Sequence, residues 1–439
     1  RLTLAGDRSP LAQLVRLFLL GETVSAVELN AVLPLEDAGP LLTGDSTALR
    51  PAYDLAPYAD EQHDWWVVSD LPDADGRPQR TDHVLGVGGA STTIAQLVVR
   101  RPVARALDIG TGCGVQALHL STHSAAVTAT DVVPRALSLA ATSLALSGVE
   151  AELLGGSLQE PVTGREFDLV VCNPPFVVGP QRRFAYRDGV ATSTSTGDDL
   201  SRAAVRAAAG LLAEGGTAHL LVNWLHVRGQ DWRDRAAEWV SGLGCDAWLV
   251  QRDAQDPVDY VSTWARDAGP ADDAEVEPWL RWFAEQRIEG VGFGWVLLRR
   301  AVGPHRVLVE EVLHPVDLPL GEEIGGWFDR VQWLRDRADD DLLEQAFRVA
   351  PAVRLDRTAL PGAEGWEEAA AALRLDGGWR WTLPCDEATA ALVAGCDGSR
   401  SLRAIVAVLA AALQQPVDDV APAVCATVRG LVDRGLLLP

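Results

Sequence analysis

Ala104 to Ile109 is a short apolar run that breaks into Gly110, Thr111, Gly112, Cys113 and Gly114 and resumes at helical spacing as Val115, Ala117, Leu118 and Leu120. A strand that enters a helix through alternate glycines admits few folds. Glycine there lets a ligand lie against the backbone, and the helix start offers it unpaired amides. Val127–Thr130, Glu150–Leu154 and Phe167–Cys172 read as further strands, with helical stretches among them. Strands alternating with helices give a mostly parallel sheet covered on both faces, so the expected fold class is α/β with a Rossmann-like sheet.

Three places along that succession carry chemistry. Val115 stands where a dinucleotide fingerprint has its third glycine, which disfavours a nicotinamide site. Asp131 ends the next strand about 20 residues on, where a carboxylate can accept both hydrogen bonds of a ribose diol. Asn173, Pro174, Pro175 and Phe176 follow the Phe167–Cys172 run. Two prolines remove backbone donors and fix φ, so the strand stops in a rigid, carbonyl-rich loop. Asn173 supplies an oxygen acceptor and Phe176 a flat apolar face. Carbonyls that take both hydrogens of a planar NH2 group leave its lone pair aimed at an electrophile, which suits methylation of an amide or an exocyclic amine. Standing alone, the same four residues are equally a Pro-Pro turn capped by Asn. Their order and spacing after the glycine turn and Asp131 favour the site.

The run Leu107-Asp108-Ile109-Gly110-Thr111-Gly112-Cys113-Gly114 resembles the first motif of class I S-adenosylmethionine-dependent methyltransferases. With Asp131 and Asn173 to Phe176 it is similar to the branch holding the release-factor glutamine methyltransferases and the small-domain ribosomal RNA guanine methyltransferases, over about residues 80 to 300. The resemblance implies S-adenosyl-L-methionine as cofactor. It places Asp108, Gly110, Thr111, Gly112 and Gly114 around the methionine end, and Asp131 with Val132 at the ribose. Asn173 and Pro174 would orient the accepting nitrogen, Asn173 also touching the cofactor, with Pro175 and Phe176 completing the catalytic loop. Ser157, followed by Leu158, stands where this branch often has an acidic residue for the adenine amino group; a hydroxyl can still accept that bond. Val84–Thr93 sits where relatives close over the cofactor, and Thr92 is read there as a contact or as a helix cap.

The whole chain narrows the reading further. Net charge −23 opposes unaided binding to a phosphate backbone. Arg182, Arg183 and Arg187 form a compact basic cluster after the proline loop, either holding a phosphate or acidic peptide or simply solvated. All 38 basic residues are Arg, which excludes Schiff-base chemistry and a phosphate-loop lysine; Met is absent as well. The six cysteines lack close metal-ligand pairs and read as reduced thiols, with neither zinc nor disulfides. Cys113, at a helix start, reads as part of the glycine turn rather than as a nucleophile. No apolar run reaches the roughly 18 residues of a membrane span and no basic, apolar leader opens at Arg1, so a cytoplasmic location is expected.

Three segments are expected. Residues 1–80 read as small helices followed by strands at Tyr53–Tyr58 and Trp65–Val68, a winged-helix-like substrate-recognition domain. Residues 81–302 form the catalytic domain, with an insert at 253–290 whose Trp264, Trp279 and Trp282 either line a groove or make the insert's own core. Residues 303–439 form an accessory domain: a strand at His305–Val312, a helix at Gly321–Arg335, and a winged-helix-like unit from about 374 built on a hairpin around Asp376 and Gly377.

The function these features point to is N-methyl transfer to a planar NH2 group. A glutamine-type amide of a protein, release-factor-like, comes first because the chain is so acidic. An exocyclic base amine of ribosomal or transfer RNA is the alternative, and a non-catalytic binding module on the same fold is the rival of another class. An activating subunit is admitted as a partner; a membrane and a metal are not expected.

Overall fold

The computed structural model describes residues 6–7, 9–35, 41–71, 82–174, 177–179, 197–267, 273–363 and 365–439. It divides into two compact units, the first taking residues 1–95, 101–302 and 307–312, the second 96–100, 303–306 and 313–439.

The first unit begins with α1 (Pro10–Leu14), which continues as a π-helical turn over Val15–Leu19, and α2 (Ala26–Asn30), started by a capping box between Ser25 and Glu28. The hairpin β1 (Leu42–Asp45) and β2 (Ala48–Pro51) follows, with Leu42 and Leu49 packed on a small core of Leu17, Val24 and Leu29. A second hairpin, β3 (Asp54–Ala59) and β4 (Asp64–Ser69), comes next.

After α3 (Gly89–Leu97) the chain runs through β5 (Val103–Ile109), α4 (Val115–Ser121), β6 (Ser124–Asp131), α5 (Pro134–Leu146), β7 (Glu152–Gly155) and β8 (Phe167–Cys172). It continues as α6 (Asp199–Gly210), β9 (Leu212–Val227), α7 (Trp232–Val240), β10 (Cys245–Gln255), α8 (Pro257–Asp267), α9 (Asp273–Glu285), β11 (Ile288–Arg300) and β12 (Val307–Glu311). Eight of these strands form one sheet in the order β12-β10-β11-β9-β8-β5-β6-β7. β5, β6, β7, β8 and β9 run parallel, and β11 pairs antiparallel with both β9 and β10. Such strands are apolar throughout because both faces are covered, and Val170, Val171 and Cys172 are wholly inaccessible. One core gathers Leu107, Val170, Ala208, Trp224, Trp239 and Leu298; fully burying an aliphatic side chain of that size is worth about 1.5–3 kcal/mol.

The strand expected at His305–Val312 lies at Val307–Glu311, but it is no part of a separate accessory domain. It pairs in parallel with β10, Ala247 opposite Val307, and so covers an edge that would otherwise be bare.

Two features place the site. From β5 the chain steps outward to β6 and β7 and then returns to β8 on the other side of β5, and an open sheet binds ligands at such a reversal, beyond the carboxyl ends of its strands. The register brings Ile109 level with Cys172 and Thr130, and Asp131 level with Gly155. The β3–β4 hairpin is tied to α5, where Ser143 Oγ accepts the Val68 amide at 2.9 Å and Ser147 Oγ the Trp66 amide at 3.0 Å. Asp70 then anchors the next segment: its carboxylate accepts the Val84 amide at 2.8 Å and pairs with Arg135 of α5, whose Nε lies at 3.1 Å.

The second unit holds α10 (Gly321–Arg335), α11 (Asp339–Glu344), β13 (Arg348–Val349), β14 (Val353–Gly362), β15 (Gly365–Leu375) and β16 (Thr382–Cys385). It ends with α12 (Glu387–Gly395), α13 (Leu402–Leu413), α14 (Val417–Asp433) and β17 (Leu437–Leu438). The turn expected at Asp376 and Gly377 is present, Gly377 having φ 97°, but it joins β15 to β16 as the second turn of a three-stranded meander. An Asp-Gly pair marks a turn without saying which strands it connects. β17 pairs with β13, not with the meander.

Candidate active site

The carboxyl ends of β8, β5, β6 and β7 open on one cavity of about 430 Å³, whose lining follows the strand order. Asn173 and Pro174 come after β8, Gly110, Thr111 and Gly112 after β5, Asp131 and Val132 at the end of β6, and Ser157 and Leu158 after β7. Residues 83–86 and 88–91 cover one side, and Leu200 of α6 and Trp264 of α8 add apolar wall.

The glycine turn is shaped by residues without side chains. Gly114, at φ 89°, occupies the N-cap of α4, and a Cβ there would stand 3.3 Å from the Ala140 Cα. Asp131 braces the turn from the next strand: Oδ2 accepts the Gly112 amide at 3.0 Å and Oδ1 accepts the Val133 amide at 2.9 Å. Burial raises this carboxyl's pKa, and the two amides pull against that shift. Each oxygen retains lone-pair capacity for a further donor.

Asp108 does not line the cavity. It is buried beneath the turn, where loss of water pushes its carboxyl up to about 7 and the nearby Asp131 charge adds to the rise. The Thr111 hydroxyl faces this carboxyl and pulls against the rise, whereas the Asn173 side-chain oxygen is buried with no hydrogen-bond partner. Buried polar atoms are nearly always paired, so an orphan at the end of β8, on the cavity wall, marks a place shaped for a polar atom of a ligand. Cys113, pushed up to about 11 by burial, stays a thiol at neutral pH and is no nucleophile.

Other expected positions divide. Ser157 and Leu158 reach the cavity, and the Ser157 amide donates to Glu160 at 3.3 Å. Thr92 does not: it lies inside α3, half-buried, with its hydroxyl donating to the Gly89 carbonyl at 3.0 Å, while Ser91 lines the wall. The helix starts earlier than expected, which turns Thr92 outward and also removes it from the cap. Pro175, Phe176, Arg182, Arg183 and Arg187 lie outside the described residues. Of the insert's tryptophans, Trp279 enters the insert's own core and Trp282 packs on it, whereas Trp264 reaches the cavity. His83, Gln116 and Leu200 also line it and carried no signal in the sequence. Among the described residues no group of His, Cys, Asp and Glu is arranged to hold a metal, and no helix is long and apolar enough to cross a membrane.

A strand-end cavity floored by a glycine turn and closed by an Asn-Pro loop agrees with the matched family profile, the methyltransferase small domain, over residues 87–225. Two domains of unknown function match residues 1–48 and 325–439. The chain is 29% identical over 220 residues to the ribosomal RNA small subunit methyltransferase C of Salmonella arizonae, covering 47% of this chain and 58% of that one. It is 40% identical over 120 residues to the release factor glutamine methyltransferase of Deinococcus radiodurans, covering 26% and 43%. The chain thus spans about half the length of the curated relatives it matches. Among solved structures, a T. thermophilus 16S rRNA N2 G1207 methyltransferase in complex with AdoMet and guanosine is 15% identical with TM-score 0.31, over 60% of each chain.

Proposed function

We propose that this chain transfers a methyl group from S-adenosylmethionine to a planar NH2 group, first a glutamine-type side-chain amide of a protein. One observation carries the reading: the Asn173 side-chain oxygen is buried and unpartnered on the wall of the cavity that Gly110, Gly112 and Asp131 also line. S-adenosylmethionine supplies an electrophilic methyl on a sulfonium. Asp131 holds the ribose diol, and Gly110, Thr111 and Gly112 lie against the methionine end. Ser157 and Leu158, at the far strand end, serve the base. Asn173 and the Pro174 carbonyl take the two hydrogens of the acceptor and set its lone pair in line with the methyl, so the gain in rate comes from alignment and exclusion of water. A nitrogen that gives up its proton late requires no strong base beside it.

The net charge of −23 supports a protein over a polyanion as acceptor. A second reading, an exocyclic amine of an RNA base, draws on the rRNA methyltransferase relative, which matches 47% of the chain against 26% for the glutamine methyltransferase. Incubating the purified protein with radiolabelled S-adenosylmethionine and fractionated lysate, with and without ribonuclease, separates the two. Label in protein supports the first, ribonuclease-sensitive label the second, and no label with either overturns both in favour of a binding module.

A further inference from the structure

Between β10 and β11 the chain spends two helices, α8 and α9, where a short turn would join an antiparallel pair. Their contacts are directed at the three residues that follow the proline loop. The Tyr260 hydroxyl accepts the Val178 amide at 2.7 Å, and Trp279 Nε1 donates to the Val178 carbonyl at 3.1 Å. Both backbone polar groups of Val178 are therefore held by insert side chains, in a buried setting where each bond is sheltered from water. Gly179 fits because a Cβ there would stand 2.7 Å from the Trp279 ring nitrogen. Tyr260 and Val178 are inaccessible, and Val261, Trp279, Phe283, Ile288 and Leu225 pack around them. Val177 and Trp264 sit on the edge of that cluster, and both also line the cavity.

The strand order says which end of the cavity this is. Ser157 follows β7 and Asp131 ends β6, on one side of the glycine turn; Asn173 follows β8, on the other. The insert grips the stretch immediately after Asn173 and Pro174, so it builds the acceptor end, remote from the nucleoside.

We infer that α8 and α9 form an acceptor subsite: Tyr260, through the Val178 peptide, is a positioning residue for the Asn173–Pro174 loop, and the Trp264 ring is the face on which a flat acceptor group lies. The inference rests on the methyl-transfer reading and names the elements that select its substrate. An indole face suits a planar, partly apolar group and gives little to a flexible aliphatic amine.

The test uses the full chain as wild type and as Tyr260→Phe, Trp264→Ala and Trp264→Phe. Each is titrated with S-adenosylhomocysteine, then assayed for label transfer from radiolabelled S-adenosylmethionine to the lysate fraction that wild type labels most. All four should bind S-adenosylhomocysteine within about threefold of one another. Tyr260→Phe should lower kcat about 10- to 100-fold, with little change in the half-saturating amount of acceptor. Trp264→Ala should raise that amount about tenfold, and Trp264→Phe should restore most of it. Wild-type labelling by Tyr260→Phe and Trp264→Ala overturns the inference, as does a parallel loss of S-adenosylhomocysteine binding. If wild type binds S-adenosylhomocysteine but labels nothing, amide exchange decides the clamp: exchange at Val178 about tenfold faster in Tyr260→Phe supports it, and unchanged exchange sinks it. If wild type does not bind S-adenosylhomocysteine at all, the methyl-transfer reading itself has failed and the subsite goes with it.

Discussion

The Gly112 amide donates to the Asp131 carboxylate at 3.0 Å, so the acid that ends β6 braces the glycine turn that ends β5. One side chain thus shapes the floor of the cavity and presents lone pairs to what lies on it. Asp131→Asn keeps the shape but sets an NH2 group against one of the two amides that the carboxylate now accepts. Losing a charge-assisted bond and misorienting the turn should weaken S-adenosylhomocysteine binding about 10- to 100-fold. Calorimetric titration checks this, and an unchanged affinity would remove Asp131 from the site.

Asp108 predicts a pH dependence of stability. A carboxyl raised from 3.8 to about 7 by burial keeps its proton in the folded protein after the unfolded chain has lost it. Folding therefore takes up a proton in that window, and stability falls as pH climbs through it. The loss amounts to a few kcal/mol, on the order of the shift at about 1.4 kcal/mol per unit. Asp108→Asn removes the titration, so the stability of the variant relative to wild type in urea should grow by a few kcal/mol from pH 5 to pH 8, with the variant the more stable at pH 8.

The parts legible in the sequence were those in which local pattern and fold agree. The apolar run into Gly110 to Gly114, the strand ending in Asp131 and the stop at Asn173 follow from backbone rules that hold wherever such residues occur, and their order sets the sheet. Thr92 went astray because a helix start shifted by a few residues rotates every side chain behind it. Asp108 went astray because motif spacing does not say which face of a strand end a side chain takes. Trp264 was visible as an aromatic in an amphipathic insert, yet only packing separates it from Trp279, since both sit on helices with similar apolar stripes. His83 could not be found at all: its place depends on the Asp70–Arg135 pair, which is 65 residues apart in sequence.

His219, on β9, predicts the opposite limb. It is wholly buried, neither ring nitrogen has a hydrogen-bond partner, and burial pushes its pKa from 6.5 down to about 3. Below pH 6.5 the unfolded chain binds a proton that the folded protein refuses, so stability is lost as pH falls. At pH 5 the cost is about 2 kcal/mol. His219→Leu removes that cost, so the gain of the variant over wild type in urea should be larger at pH 5 than at pH 7.5. The Asp108 and His219 windows overlap with opposite sign, so wild type should show a flatter profile than either variant.

Asn173→Ala tests the chemistry directly. Asn173 lines the cavity at the end of β8, and its side-chain oxygen is buried with no partner in the protein, so removing the amide breaks no internal bond of that oxygen. If that oxygen takes a hydrogen of the acceptor as the methyl moves, its loss is felt in the transition state and hardly in cofactor binding. The expected result is a fall in kcat of about 100- to 1,000-fold, comparable to deleting a donor from an oxyanion hole. S-adenosylhomocysteine should bind within a fewfold of wild type, because the proposed function puts its contacts on the β5, β6 and β7 side of the reversal. A variant that turns over normally would mean that the acceptor is held elsewhere. A variant that loses kcat and cofactor affinity together would mean that Asn173 supports the cofactor instead of aligning the nitrogen.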